Sequence, residues 1–188
     1  MKSTDQIQAF IFDMDGVLFS TQEANDEAYA QALAALNIKV SSIFYKNLYG
    51  NKFEKVILTE HPTLNQKTIK QVKDLKHKYY REQLPQIKIN KPLIDFINFS
   101  RSFVPIGLAT SAARNNAMLI INHFNIAPLF SAFVFFEDVH EPKPNPECFQ
   151  LCAKKLNVPI DSCIIWEDSK EGLEAARLSG AKFVKVFF

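Results

Sequence analysis

Short apolar runs recur along this chain, and most of them are separated by a stretch with helical spacing. Ile7–Phe12, Phe103–Ala109, Ala132–Phe136, Cys163–Trp166 and Lys182–Phe187 read as strands, although Pro105 weakens the start of the second. Thr21–Leu36 reads as a helix with Ala28, Ala32, Leu33 and Leu36 along one side. Ser111–Phe124, Pro146–Leu156 and Ser169–Leu178 follow as helices, the last ended by Gly180. Strand–helix alternation predicts an α/β fold: a mostly parallel sheet with helices on both faces. Such folds bind ligands outside the carboxyl ends of their strands, at a switch in strand order. The polar residues at those ends are therefore the ones to examine.

One stretch breaks the alternation. From about Val40 to Leu84 the pattern is helical and polar, with little strand character. Asn90-Lys91-Pro92 then punctuates the chain, with Pro92 suited to the first turn of a new helix. A chain of 188 residues fits one domain, or one domain with a small insert, at roughly 100–200 residues per domain. The hydrophobic fraction of 47% suffices for a sizeable core, and most of the 17 Phe residues fall in apolar runs that would fill it.

Composition excludes several classes. The net charge is +2, acids and bases are interleaved, and the densest basic stretch, Lys67 to Arg81, is broken by acids and apolar residues. It reads as a solvated helix face, so no nucleic-acid partner is expected. Cys148, Cys152 and Cys163 form no CxxC pair, and small buried hydrophobes are the expected reading. With no disulfide framework, a reducing compartment is expected. The opening MKSTDQIQAF has no apolar signal-peptide core, and no run of about 18 apolar residues exists. The expectation is a cytoplasmic protein without a membrane partner, its oligomeric state unspecified.

Four strand ends carry chemistry. The first ends at Asp13-Met14-Asp15-Gly16, the second at Thr110-Ser111, and the fourth at Glu167-Asp168-Ser169. The loop after the third carries Glu141-Pro142-Lys143-Pro144. Taken singly, each has a plain structural explanation as a turn residue, an N-cap or a surface lysine. Acids, hydroxyls and a lysine at successive strand ends are much harder to explain as capping. The chemistry this set suits is phosphoryl transfer. A carboxylate can attack phosphorus to form an aspartyl-phosphate. A second carboxylate can act as acid and then as base. Lysine, hydroxyl and backbone donors hold the transferring oxygens. Because the phosphoryl group and the carboxylates repel, a divalent cation with hard oxygen ligands, Mg2+, is the expected cofactor.

The order DMDGV, LATS, KP and EDSKEGLEAARLSGA resembles the haloacid dehalogenase superfamily over nearly the whole chain, about Ile7 to Val186. The subgroup it is most similar to holds beta-phosphoglucomutase, phosphoglycolate phosphatase and small sugar-phosphate phosphatases. This resemblance implies a Rossmann-like core with strand order 3-2-1-4-5 and an inserted helical cap. The core would be residues 1–19 and 91–188, and the cap residues 20–90. Carried over position by position, Asp13 would be the nucleophile, and Asp15 the acid that protonates the leaving oxygen and then activates water. Thr110, the Ser111 backbone and Lys143 would bind the phosphoryl group. Asp168 would ligate Mg2+ with the Asp13 carboxylate and the Asp15 carbonyl, and Glu167 would complete the metal's surroundings.

The resemblance also discriminates among activities. Dehalogenases of this fold generally lack the second acid, since a departing halide needs no proton; Asp15 therefore favours a phosphatase or a mutase. Relatives with mutase activity usually carry a histidine where this chain has Asn25. The expected function is thus Mg2+-dependent hydrolysis of a small phosphorylated metabolite, with a sugar phosphomutase as the alternative and a catalytically idle binding protein as a third reading. In the cap, Glu23, Asn25 and Lys52 are candidate substrate-facing residues, with a first-turn helix acid and a surface lysine as the plain readings of Glu23 and Lys52. The apolar segment Phe183–Phe188 is expected to leave an exposed patch or to meet a partner.

Overall fold

The computed structural model describes residues 6–48 and 51–188. The chain divides into two compact units, one built from residues up to Thr21 and from Lys88–Phe188, the other Gln22–Ile87.

The first unit is a five-stranded sheet of β1 (Ala9–Phe12), β4 (Ile106–Ala109), β5 (Ala132–Val134), β6 (Cys163–Glu167) and β7 (Lys182–Lys185), in the order β5-β4-β1-β6-β7. Every neighbouring pair is parallel. Counting only these five strands along the chain, the order is 3-2-1-4-5, as the resemblance implies. The centre is β1, pairing Phe10 with Ile106 on one side and with Ile164 on the other. Its AFIF sequence, buried except for a half-buried Phe10, is what a strand covered on both faces requires.

One face is packed by α7 (Glu147–Lys155) and α8 (Lys170–Ser179). Cys148, Phe149, Cys152, Ala153, Ala175 and Ala176 meet Ala9, Ile11, Val134, Cys163 and Ile165 there. The small residues let these helices lie close to the sheet. All three cysteines are free and buried. Burial pushes the Cys148 and Cys163 thiols up to about 11, so both act as neutral packing groups. On the other face, α5 (Lys91–Ser100) sets Phe96 against Phe10 and Trp166, and Phe12 stacks on Trp166. Asn90 caps α5 by accepting from the Leu93 N–H, with Pro92 in the first turn.

Several boundaries differ from the sequence expectation for physical reasons. The strand expected from Phe103 starts only at Ile106; Pro105 brings no N–H, but its carbonyl accepts from Phe10. β5 stops at Val134 instead of Phe136. The Phe135 N–H turns to the Asp138 carboxylate and the Phe136 N–H to the Ala112 carbonyl, starting a 3-10 turn. The helix expected from Ser111 is α6 (Arg114–His123), which begins three residues later. A short antiparallel ladder, β2 (Phe19–Ser20) with β3 (Lys88–Ile89), lies at the two ends of the expected insert, residues 20–90. Every residue of β7 is exposed, as are Phe187 and Phe188 beyond it.

The second unit is helical: α1 (Gln22–Ala35), α2 (Phe44–Leu48), α3 (Phe53–Glu60) and α4 (Gln66–Gln83). Ala32, Leu33, Phe44, Phe53, Val56, Ile57, Ile69 and Val72 form its core. Tyr29 stacks on Phe53, and the Lys76 ammonium lies over the Tyr29 and Tyr80 rings. This unit therefore has an apolar centre of its own. Among the described residues, no helix is long and apolar enough to cross a membrane.

Candidate active site

Asp13 is the first residue beyond β1, and its N–H donates to the Trp166 carbonyl of β6. Its side chain therefore leaves the sheet at the carboxyl edge, where β1 is flanked by β4 and β6. Asp13 is 5% exposed. Lys143 donates to its Oδ1 at 2.6 Å. The same ammonium donates to Glu167 Oε1 at 3.0 Å and to the Ala109 carbonyl at 3.3 Å, using the three donors a lysine has. Phe149 lies beneath it, with the ring centroid 4.7 Å away. One loop lysine thus binds the ends of three adjacent strands together.

Charge in this pocket is unbalanced. Asp13, Glu167 and Asp168 each offer a carboxylate oxygen, and these atoms lie within 4.8 Å of one another. Burial pushes the Asp13 carboxyl up to about 8; Lys143 opposes this, and the negative charges of Glu167 and Asp15 add to it. Burial and then Glu167 push Asp168 up to about 6. Burial alone would lower Lys143, but the Asp13 and Glu167 carboxylates outweigh it and hold the ammonium charged. Three clustered carboxylates facing one lysine form a site that favours further positive charge. An all-oxygen donor set suits a hard divalent cation such as Mg2+.

Glu167 is the most buried of the three, at 1% exposure. Its Oε2 accepts from the Ser169 N–H at 2.8 Å and the Ser169 hydroxyl at 3.0 Å, while Oε1 holds Lys143. Ser169 in turn is the N-cap of α8, accepting from the Gly172 N–H at 3.0 Å. The capping explanation of this serine and its place beside the acids are both correct, because one hydroxyl does both. A Cβ at Gly172 would fall on the Glu167 carboxylate, so only glycine lets α8 pass this close.

Asp15 follows in the turn leaving β1. Gly16 adopts φ +80°, and a Cβ there would strike the Asp168 carboxylate. The turn is closed by the Gly16 N–H to the Phe19 carbonyl at 2.7 Å and the Leu18 N–H to the Met14 carbonyl at 2.9 Å. It brings the buried Thr21 back to Asp15, where the Thr21 hydroxyl donates to Oδ1 at 2.5 Å. Sequence reasoning took Thr21 as a helix start and matched it to a threonine of the resembling family, but gave it no role at the site; its signal was its place just after the apolar run Val17–Phe19.

Thr110 and Ser111 lie at the end of β4. Thr110 is buried and its N–H donates to the Val134 carbonyl; its Oγ accepts from the Ala112 N–H at 3.0 Å, and Ser111 is exposed. Neither caps α6, whose N-cap is Ala113 with no side-chain acceptor. Glu137 supplies the acceptor instead, from the turn after β5. The structure thus joins Asp13, Lys143 and Glu167 by direct contact, with Asp168 in the same carboxylate group. Glu23 and Asn25 lie on α1, and Lys52 precedes α3, all in the helical unit; Glu23 and Lys52 are exposed and Asn25 half-buried. Thr21, Glu137 and Gly172 are the supporting residues that sequence reasoning missed.

With this geometry in view, comparison with known proteins is informative. The sequence model of the haloacid dehalogenase-like hydrolases matches residues 10–186. A phosphorylated carbohydrates phosphatase of Thermotoga maritima is 28% identical, the match covering 93% of this chain and 82% of that protein. The fructose-1-phosphate phosphatase YqaB of Escherichia coli is 24% identical, over 97% of each. Among solved structures, beta-phosphoglucomutase of Clostridium difficile is 26% identical with a TM-score of 0.77, covering 97% of this chain and 86% of that one. CbbY of Rhodobacter sphaeroides, solved with phosphate, has a TM-score of 0.83 at 22% identity, covering 97% and 87%. The chain is an enzyme, and it belongs to the haloacid dehalogenase-like hydrolases.

Proposed function

We propose that this enzyme is a Mg2+-dependent phosphatase of a small phosphate monoester, a sugar phosphate or a similar metabolite, acting through an aspartyl-phosphate. The observation that carries the reading is the buried Lys143 ammonium holding Asp13 and Glu167 together beside Asp168, at the edge of the sheet where Asp15 also emerges. Asp13, Glu167 and Asp168 are the residues that would hold Mg2+, and the Asp15 carbonyl is proposed to join them. When bound, the cation offsets the repulsion between the carboxylates and the phosphoryl oxygens.

In this reading Lys143 keeps Asp13 oriented for attack and opposes the effect of burial on its carboxyl. The Asp13 carboxylate forms the new bond to phosphorus as the bond to the leaving oxygen breaks, and Asp15 gives that oxygen its proton. Asp15, now a carboxylate, takes a proton from water as the water attacks phosphorus and releases Asp13. Thr21 holds Asp15 in place for both transfers. Thr110, the Ser111 backbone and Lys143 bind the phosphoryl oxygens. The helical unit, Gln22–Ile87, is proposed as a substrate-selecting cap, with Glu23, Asn25 and Lys52 as its candidate contacts.

The names of the two curated relatives, a carbohydrate-phosphate and a fructose-1-phosphate phosphatase, support a sugar phosphate as substrate. The likeness to beta-phosphoglucomutase favours a second reading, in which a sugar hydroxyl instead of water receives the phosphoryl group. A phosphate-release screen over sugar phosphates, phosphoglycolate and nucleotides with Mg2+, run beside a beta-glucose 1-phosphate isomerisation assay, separates the two. Isomerisation without phosphate release would overturn the phosphatase.

A further inference from the structure

We propose that Glu137 is a positioning residue that sets the Thr110–Ala113 loop for phosphate from outside the loop itself. The proposal rests on the reading of that loop as a phosphate-binding element. The loop has no side chain of its own that caps its far end. Its last residue, Ala113, occupies the N-cap of α6 and has no side-chain oxygen, so the first helical N–H would lack an acceptor. Glu137 fills that role across 23 residues of sequence, accepting from the Arg114 N–H at 3.2 Å through Oε1 and 3.0 Å through Oε2.

This contact belongs to a clasp. The Phe136 N–H donates to the Ala112 carbonyl at 3.1 Å, gripping the loop one residue inside its end. Asp138 accepts from the Arg114 guanidinium at 2.5 Å and from the Phe135 N–H at 3.1 Å. The guanidinium also lies 4.3 Å from the centroid of the buried Phe135 ring. At the loop's other end, Thr110 is tied to Val134 of the adjacent strand. The turn after β5 therefore holds the loop at the Ala112 carbonyl and at Arg114, on its backbone and at its junction with α6.

Two consequences follow for anion binding. With the Arg114 N–H bonded to Glu137, and the Ala112 N–H to the Thr110 hydroxyl, the α6 terminus is already supplied with negative charge. An incoming phosphate would instead use the Ser111 and Ala113 amides, whose directions depend on the clasp.

The test uses the full chain with Mg2+. Inorganic phosphate is the calorimetric probe, p-nitrophenyl phosphate the kinetic one, and amide hydrogen exchange is read at Arg114. Glu137→Ala should speed exchange at Arg114 and raise the phosphate Kd and the KM together, about fivefold for the loss of one positioned hydrogen bond. Glu137→Gln, which keeps an acceptor oxygen, should recover most of both effects. Faster exchange at Arg114 with an unchanged phosphate Kd would overturn the proposal, because Glu137 would then be only a helix cap. Unchanged exchange would overturn it as well. A wild-type protein that binds no phosphate would instead overturn the phosphate reading of the loop, and the two failures are told apart by the wild-type titration alone.

Discussion

Replacing Gly172 by alanine gives opposite answers depending on whether the helix or the site decides. In an exposed helix, Gly→Ala stabilises by about 1 kcal/mol. Gly172 is buried in the first turn of α8, and the added methyl would fall on the Glu167 carboxylate. That carboxylate cannot turn aside without losing Lys143 on one oxygen and the Ser169 N–H and hydroxyl on the other. Hydrogen bonds to charged groups contribute roughly 1.5–3 kcal/mol each. Losing two of these three bonds, less the gain of about 1 kcal/mol in helix propensity, leaves a net destabilisation of about 2–5 kcal/mol. Urea unfolding in the presence of a chelator measures it directly, with the m-value as a check that only stability has changed. The double variant supplies the control. In a Glu167→Ala background the methyl has no carboxylate to strike, so the same Gly172→Ala change should be neutral or stabilising. A wild-type chain made more stable by Gly172→Ala would refute the close approach of α8 to Glu167 and the reasoning built on it.

Other predictions concern charge and protons. Asp13→Asn should lower turnover on the order of a thousandfold or more while leaving the fold intact; turnover within a few-fold of wild type would refute its role as nucleophile. Asp13 and Asp168 are both raised above their ordinary values, so each favours the folded state in its protonated form. That stability is fully present near pH 4 and is lost as pH rises through about 6 for Asp168 and about 8 for Asp13. The chelated protein should therefore have a lower urea midpoint at pH 8 than at pH 5, and Mg2+ should raise its Tm more at pH 8. Below about pH 6 its Mg2+ affinity should climb on the order of tenfold per pH unit for each proton displaced, which calorimetry in two buffers can read. Thr21→Val removes the donor to Asp15 and should slow hydrolysis about tenfold for an alkyl phosphate but much less for p-nitrophenyl phosphate, whose leaving group needs little proton assistance. Equal losses on both substrates would separate Thr21 from the proton transfer.

What the sequence made legible follows from what each residue does alone. Asp13, Lys143 and Glu167 could be linked because each sits just past a strand or in a strand-end loop, and the α/β topology itself gathers those ends. The order of the five strands was implied only by the family resemblance that those motifs carry. The β2–β3 ladder was not legible, because two residues per strand are too few to show a period. The start of α6 was misplaced because Thr110 and Ser111 look like caps, whereas the acceptor that starts the helix, Glu137, belongs to a different loop. Gly172 was invisible for a related reason: what it approaches, the Glu167 side chain, is known only once α8 is laid against β6.

The placement of β1 at the centre of the sheet has a kinetic consequence. The strand bearing Asp13 is made first, yet its partners are Ile106–Leu108 on one side and Cys163–Trp166 on the other. Between β1 and its first partner the chain must emit the whole of Gln22–Ile87, a unit whose contacts are nearer in sequence and whose loops are cheaper to close. On a ribosome the helical unit can collapse early, while β1 waits for β4 on one side and, until nearly the last strand emerges, for β6 on the other. The pocket is therefore among the last parts of the molecule to exist. Its activity is a report of complete assembly, and a chain stalled before β6 would hold an aspartate without Glu167 and Asp168, two of the three carboxylates of the site.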